Sequence, residues 1–286
     1  MLAVDIGGTK VAAGVVDDGG ELLARASAPT PDGGDAERIL QAVLEVVGEV
    51  RTGREQACGV GCGGPMTAGG EEVSPLNIEA WRDFPLRARL GEALGIEVHV
   101  DNDAKALALG EGWCGAAVGV PDFLGMVVST GVGGGVVLDG RLLDGAAGNA
   151  GHVGHVIVEP EGRMCPCGAQ GCLEAEASGT AIAARTGRPA ADADADERAR
   201  AGRLVGRAVA SVANLLDLRL AVVAGSVALG FGEVFFQAAQ AELDRCARLT
   251  FSAGAHIQPG LLGDAGPLVG AAAVAYRAVG HPIGVR

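Results

Sequence analysis

Leu2-Ala3-Val4-Asp5-Ile6-Gly7-Gly8-Thr9-Lys10-Val11-Ala12-Ala13-Gly14-Val15-Val16 is the stretch on which the rest of the chain is read. An apolar run, a glycine pair and a second apolar run predict a buried strand over 2–6, a turn at Gly7-Gly8 and a return strand over 11–16. The glycines lack the G-x-x-x-x-G-K-[ST] spacing of a P-loop, and no helix follows them, so neither that loop nor a Rossmann turn fits. In a hairpin, adjacent glycines bare backbone amides to an approaching anion, while Thr9 and Lys10 add a hydroxyl and a positive charge. The stretch therefore reads as a phosphate-binding hairpin with Asp5, Gly8, Thr9 and Lys10 as candidate contacts. Taken alone, an ordinary glycine hairpin explains it as well.

Downstream the pattern returns. Residues 123–129 form an apolar run, Ser129-Thr130-Gly131-Val132-Gly133-Gly134-Gly135 a second glycine turn, and 134–138 a return strand. Thr130, Gly131 and Gly133 are its candidate phosphate contacts. Two strand–turn–strand units argue for an α/β protein of two related halves: an N-terminal lobe over 1–103, completed by a C-terminal helix within 267–286, and a C-terminal lobe over 104–266. Around the hairpins the pattern predicts a third strand over 21–26 and a helix through Ile39, Leu40, Val43, Leu44, Val46 and Val47. Strands over 58–62 and 96–100 and a helix over 104–113 follow. Further on it predicts a long helix over 195–216, a strand over 220–224 ending at Gly225, a helix over 231–247 and a last helix over 267–279. The polar stretch 189–200 reads either as a mobile loop or as the solvated start of the long helix.

Composition narrows the class. Hydrophobic residues make up 49% of the 286 residues, enough for a large core, which sets disorder aside. A net charge of −13 opposes binding to nucleic acid or to anionic membrane surfaces, both of which attract basic patches. No run approaches the roughly 20 apolar residues of a membrane span, and the start of the chain does not resemble a signal peptide, so the expectation is cytoplasmic. Seven cysteines, an odd number, suit a reducing compartment better than a disulfide framework.

Three of those cysteines cluster. His155, Cys165, Cys167 and Cys172 read H-x9-C-x-C-x4-C, with Gly168 and Gly171 permitting a tight knuckle over 155–172. Four protein ligands leave no open position, so the set reads as a structural Zn²⁺ site, contributing on the order of 10 kcal/mol to a loop with little core of its own.

With these residues in view the chain resembles the ROK family of sugar kinases and sugar-responsive repressors. The shared motifs run in order along nearly the whole chain: Asp5-Ile6-Gly7-Gly8-Thr9-Lys10, Gly63-Gly64-Pro65, Asn102-Asp103, Thr130 to Gly135, Gly154-His155, and Cys165-Pro166-Cys167-Gly168-Ala169-Gln170-Gly171-Cys172-Leu173-Glu174. The resemblance implies two ribonuclease H-like lobes of the actin/hexokinase-like ATPase fold, with an interlobe cleft. It implies Asp103 as the base that takes the proton of a sugar hydroxyl. Gly64, Asn77, Asn102, Asp103, His152, His155 and Glu174 stand as substrate-binding candidates, Asn77 within Pro75-Leu76-Asn77-Ile78-Glu79-Ala80-Trp81. It also implies Mg²⁺ delivered with ATP, and a homodimer or higher homo-oligomer.

The sequence departs from the family at two places. Glucose kinases of the family usually carry Glu-x-Gly-His where this chain has His152-Val153-Gly154-His155, and an imidazole offers one acceptor and one donor where a carboxylate offers only acceptors. The substrate expectation is therefore a hexose or a hexose-like molecule, with a ketose, a modified hexose or a cyclitol as the alternative. Second, Val223-Ala224-Gly225-Ser226-Val227 stands where the family tends to have a run of glycines beside adenine, leaving Gly225 and Ser226 as nucleotide candidates and the choice between ATP and polyphosphate open. A sugar-sensing repressor of the family carries a helix-turn-helix domain ahead of the D-x-G-G-T segment, here at residue 5, so an enzyme is expected.

Overall fold

The structure is a computed structural model and describes residues 1–31, 33 and 35–286. The first half contributes β1 (Leu2–Ile6), β2 (Lys10–Val16), β3 (Leu22–Pro29), α1 (Ala36–Val50), β4 (Ala57–Cys62), α2 (Leu86–Leu94), β5 (Glu97–Asn102) and α3 (Asp103–Cys114). The second contributes β6 (Phe123–Val128), β7 (Val132–Leu138), β8 (Arg141–Leu142), α4 (Leu173–Ala177), α5 (Gly179–Thr186), α6 (Ala195–Leu216), β9 (Leu220–Ala224), α7 (Ser226–Phe231), α8 (Glu233–Cys246), β10 (His256–Pro259) and α9 (Gly266–Ala278).

The strands form two five-stranded sheets, β3-β2-β1-β4-β5 and β8-β7-β6-β9-β10. In each, a three-stranded antiparallel meander is extended by two parallel strands: β1 pairs antiparallel with β2 and parallel with β4, as β6 does with β7 and β9. The two glycine hairpins thus occupy the same place in two copies of one plan. The parallel strands β4 and β9 are buried along their whole length, whereas the edge strand β3 alternates half-buried and exposed positions, as one covered face dictates.

Between the sheets lie α3 and α9. One apolar cluster joins Ala3, Ala12 and Val16 of the first sheet to Phe123, Val137 and Val222 of the second through Ala106, Ala108 and Leu109 of α3 and Ala271, Ala272 and Val274 of α9. Small residues are needed because the backbones nearly touch: a methyl group on Gly59 of β4 would collide with the Ala271 carbonyl, and one on Gly110 would sit 3.1 Å from Gly270 of α9. That packing explains the Ala-rich composition of α9, and it fixes the N-terminus of α3, where Asp103 lies, at the seam between the halves.

Two expectations change. The helix expected over 231–247 is α8, and an unexpected short helix, α7, precedes it, the two separated at Gly232, whose φ of 62° a side chain would strain. The polar stretch 189–200 resolves into a short 3₁₀ turn at 190–192 and the first turns of α6, capped by Asp194, whose carboxylate accepts the Glu197 amide at 3.0 Å. Among the described residues no helix is long and apolar enough to cross a membrane.

Candidate active site

Asp103 opens α3, and its freedom depends on its neighbour. Asn102 is the N-cap, its Oδ1 accepting the amides of Ala104 at 3.1 Å and Lys105 at 3.3 Å, so capping does not consume the Asp103 carboxylate, which takes a single amide bond from Ala104 at 2.8 Å. Asp103 is open to solvent at the mouth of the cleft yet ringed by protein on its other sides. That crowding raises its pKa, and the charge of Glu174 adds to the effect while the Ala104 amide opposes it. Asp5, at the end of β1, is pushed up to about 7, first by burial and then by the charge of Asp103, with Lys10 opposing. The Asp5 carboxylate accepts no hydrogen bond from the described residues. Two crowded carboxylates of which one lacks a donor make a floor suited to a cation.

Each glycine turn is braced from outside. In the first, the Gly7 amide donates to the Lys10 carbonyl at 3.0 Å, and Thr30, the residue after β3, holds it, its hydroxyl on the Gly7 carbonyl at 2.6 Å and its amide on that of Thr9 at 3.1 Å. Thr9 and Lys10 are exposed, and Gly8 lies so close to Asn77 that a methyl group would stand 2.8 Å from the Asn77 carbonyl. In the second, the Ser129 amide donates to Gly131, Thr180 of α5 donates its hydroxyl to the Thr130 carbonyl at 3.0 Å, and Glu174 accepts the Val132 amide at 2.9 Å. Gly131 lies against Glu174 and Gly133 against Ala104. Ser226 joins here through a 2.9 Å bond between its hydroxyl and that of Ser129. Before it, Gly225 has a φ of 97° and faces the Val128 carbonyl, so no side chain fits.

The opposite edge gathers Gly64, Asn102 and His152. A methyl group on Gly64 would be 3.4 Å from both the Asn102 amide nitrogen and the His152 ring, and one on Gly63 3.4 Å from Asn77 Oδ1. His152 has its pKa lowered, chiefly by burial and next by His155, so it is neutral near pH 7. The two imidazoles lie 6.1 Å apart, and beyond them is the knuckle: His155 Nδ1 is 3.7 Å from Cys165 Sγ, Cys167 Sγ is 3.7 Å from Cys172 Sγ, and all four candidate ligand atoms fall within 4.8 Å of one another. Bonds of about 2.3 Å to sulfur place tetrahedral ligands about 3.8 Å apart. The set therefore fits a closed zinc ion.

Residues 1–278 match the sequence profile of the ROK family. The chain belongs to the ROK family. The Thermotoga maritima glucokinase is 40% identical over 186 residues, 64% of this chain and 58% of that protein. An N-acetylmannosamine kinase of Citrobacter koseri is 37% identical over 246 residues, 81% of this chain and 84% of that protein. Among solved structures, a ROK family glucokinase from Streptomyces griseus in complex with glucose and AMPPNP superposes with a TM-score of 0.85 at 32% identity, covering 95% of this chain and 97% of that one. This ROK protein is an ATP-dependent sugar kinase with the two-lobed actin/hexokinase-like fold.

Sequence reading did not single out Lys105, Asp144, Asn149 or Glu176. Lys105 is 2% exposed and pairs with Asp101 at 3.0 Å and Asp144 at 2.9 Å. The i,i+4 spacing of Asp101 and Lys105 was a usable signal. Asn149 bonds only to backbone, and no residue-type pattern announces such a contact.

Proposed function

We propose that this ROK kinase transfers the γ-phosphoryl group of Mg-ATP to the primary hydroxyl of an N-acylated hexosamine, with N-acetylmannosamine as the first substrate to test. The observation that carries the reading is His152, a neutral imidazole at the sugar edge where the family's glucose kinases usually carry a glutamate. A carboxylate can only accept hydrogen bonds, whereas an acylamino group presents an N–H and a carbonyl; an imidazole, with one acceptor and one donor, matches that pair. The length over which N-acetylmannosamine kinases align supports it. Glucose is the second reading, favoured by the likeness to the glucose-bound Streptomyces griseus enzyme.

In this reading the division at 103/104 separates two lobes that close on the substrates. Asp103 accepts the proton of the attacking hydroxyl, and its raised pKa makes it a stronger base. Gly64, Asn77, Asn102, His152, His155 and Glu174 hold the sugar, with His155 using Nδ1 for the metal and leaving Nε2 free. Gly8, Thr9, Lys10, Thr130, Gly131, Gly133, Gly225 and Ser226 line the nucleotide phosphates. Asp5 would help hold the magnesium ion, which neutralises phosphate charge when bound. Cys165, Cys167, Cys172 and His155 hold a structural zinc. A cytoplasmic homo-oligomer completes the reading.

A phosphorylated-sugar product assay across N-acetylmannosamine, glucose, mannose, fructose and a cyclitol, with ATP or polyphosphate as donor, tests it. The expected result is the highest kcat/KM for N-acetylmannosamine with ATP. Asp103→Asn is expected to lower kcat by about 10²- to 10⁴-fold. A best kcat/KM for glucose sinks the substrate assignment, and an unimpaired Asp103→Asn sinks the base.

A further inference from the structure

The segment leading to His152 is held across the cleft by contacts that belong to neither the nucleotide turns nor the knuckle. Asn149 faces the first half and engages both polar groups of one residue there: its Oδ1 accepts the Met66 amide at 3.2 Å and its Nδ2 donates to the Met66 carbonyl at 2.9 Å. The neighbouring Gly148 packs on Ala68. From beneath, Lys105 spends all three of its N–H donors on the Asp101 carboxylate at 3.0 Å, the Asp144 carboxylate at 2.9 Å and the Gly148 carbonyl at 3.2 Å. Arg277 of α9 adds a 3.5 Å contact to Asp144. A cation in the first turn of α3 works against the helix dipole, and a lysine buried this far needs partners to remain charged. Local helix stability does not account for it.

Met66 is close in sequence to Gly64, and Asn149 to His152, so the Asn149–Met66 pair controls the gap between the two walls of the sugar edge. We propose that Asn149 and Lys105 are positioning residues: they clamp the segment 144–152 onto the segment 64–70 and so set the width of the edge at which His152 reads the sugar. The inference rests on the sugar-kinase reading of the site but not on which sugar is preferred. Neither residue touches the reacting atoms. Both act through the placement of His152 and Gly64.

The test is steady-state kinetics of Asn149→Ala and Asp144→Asn, with sugar and ATP varied separately. Asp144 is half-exposed, so its substitution loosens the Lys105 arm without stranding a buried ammonium ion. Asn149→Ala should raise the KM for the best sugar about 10-fold, the worth of one to two hydrogen bonds, leave the KM for ATP unchanged, and narrow the kcat/KM ratio between the best and second-best sugars. Asp144→Asn should move the same parameters in the same direction by less, and Asn149→Gln, which keeps the amide, should recover part of the loss. A purely structural contact would lower thermal stability without changing the sugar ratio, and that outcome overturns the proposal. If the unaltered protein phosphorylates no sugar, the functional reading fails and hydrogen exchange decides the clamp. Faster exchange over both 64–70 and 144–152 in Asn149→Ala supports it, and unchanged exchange overturns it.

Discussion

The two halves repeat one sheet order but hold the insertions over 63–85 and 155–172 by different physical means. In the first half, residues 63–85 leave the sheet after β4 and are pinned by apolar burial: Val73, Ile78, Trp81 and Phe84 are all buried, Trp81 stacks on Phe84 at 4.6 Å, and its indole N–H donates to the Ala36 carbonyl. In the second half the knuckle has almost no apolar core. Its own buried cluster is Cys165, Cys172 and Ala175, while Ile157 and Met164 are 56% and 66% exposed. What holds it among the described residues is polar: Arg200 of α6 on Glu176 at 2.5 Å, Glu176 accepting the Arg163 amide at 2.6 Å, and Arg207 of α6 on the Val158 carbonyl at 2.7 Å, with the proposed Cys₃His metal set beside them. Apolar anchoring is spread over many contacts and loses strength gradually. A ligand set fails at once when a single member is removed.

That contrast is open to direct attack. Cys172→Ser removes a fully buried ligand and should release the metal from the knuckle, a contribution on the order of 10 kcal/mol in comparable small sites. Zinc content by mass spectrometry and cleavage within 155–172 by a protease would follow the loss, and loss of zinc with protease resistance retained would show that the ionic braces suffice. Trp81→Ala should cost about 3–5 kcal/mol in urea unfolding while zinc content stays unchanged, because its damage is confined to the apolar anchor. Glu176→Gln keeps the side chain's shape but discharges the brace to Arg200, with an expected loss of about 2 kcal/mol and weaker zinc retention against a chelator. Unaltered zinc retention would separate the brace from the knuckle.

What could be read in advance follows the same division. The hairpins, the long helix and the cysteine set were legible because each is written in local spacing: glycine pairs after apolar runs, a sustained helical period, and cysteines at ligand intervals. Most of α2, α5 and β10 were not, since short elements with partly polar faces carry too little periodicity to stand out. The short helix α7 was missed because its 6 residues carry too little periodicity to stand out after Gly225. In the site, Asp103 and Glu174 were reached through motif resemblance. Asn149 was unreadable because its partner Met66 is 83 residues away and contributes only backbone. Asn102 caps α3 while Asp101, one residue earlier, pairs with Lys105, a division that neither residue type alone announces.

A pH-dependent effect also separates the halves. Asp5 in the first half has its pKa raised from 3.8 to about 7 by burial, then by Asp103, against Lys10. Within that window the folded chain keeps a proton that the unfolded chain has released, so this contribution is complete below pH 3.8 and is lost as pH rises through about 7. In the second half Glu242 is held down to about 2 by hydrogen bonds from Arg245 and Arg207, which outweigh its burial. Its contribution is complete above its ordinary value of 4.5 and is lost as pH falls toward 2. The two groups therefore tilt stability in opposite directions. Melting temperatures in magnesium-free buffer should show Asp5→Asn flattening the decline toward neutral pH, with a gain largest at the alkaline end, and Glu242→Gln losing stability near neutrality but little at acid pH. If Asp5→Asn gave the same shift at every pH, the burial of Asp5 beside Asp103 would not be what loads the first half, and the carboxylate floor of the cleft would have to be held apart by a cation partner that the contacts around Asp5 do not supply.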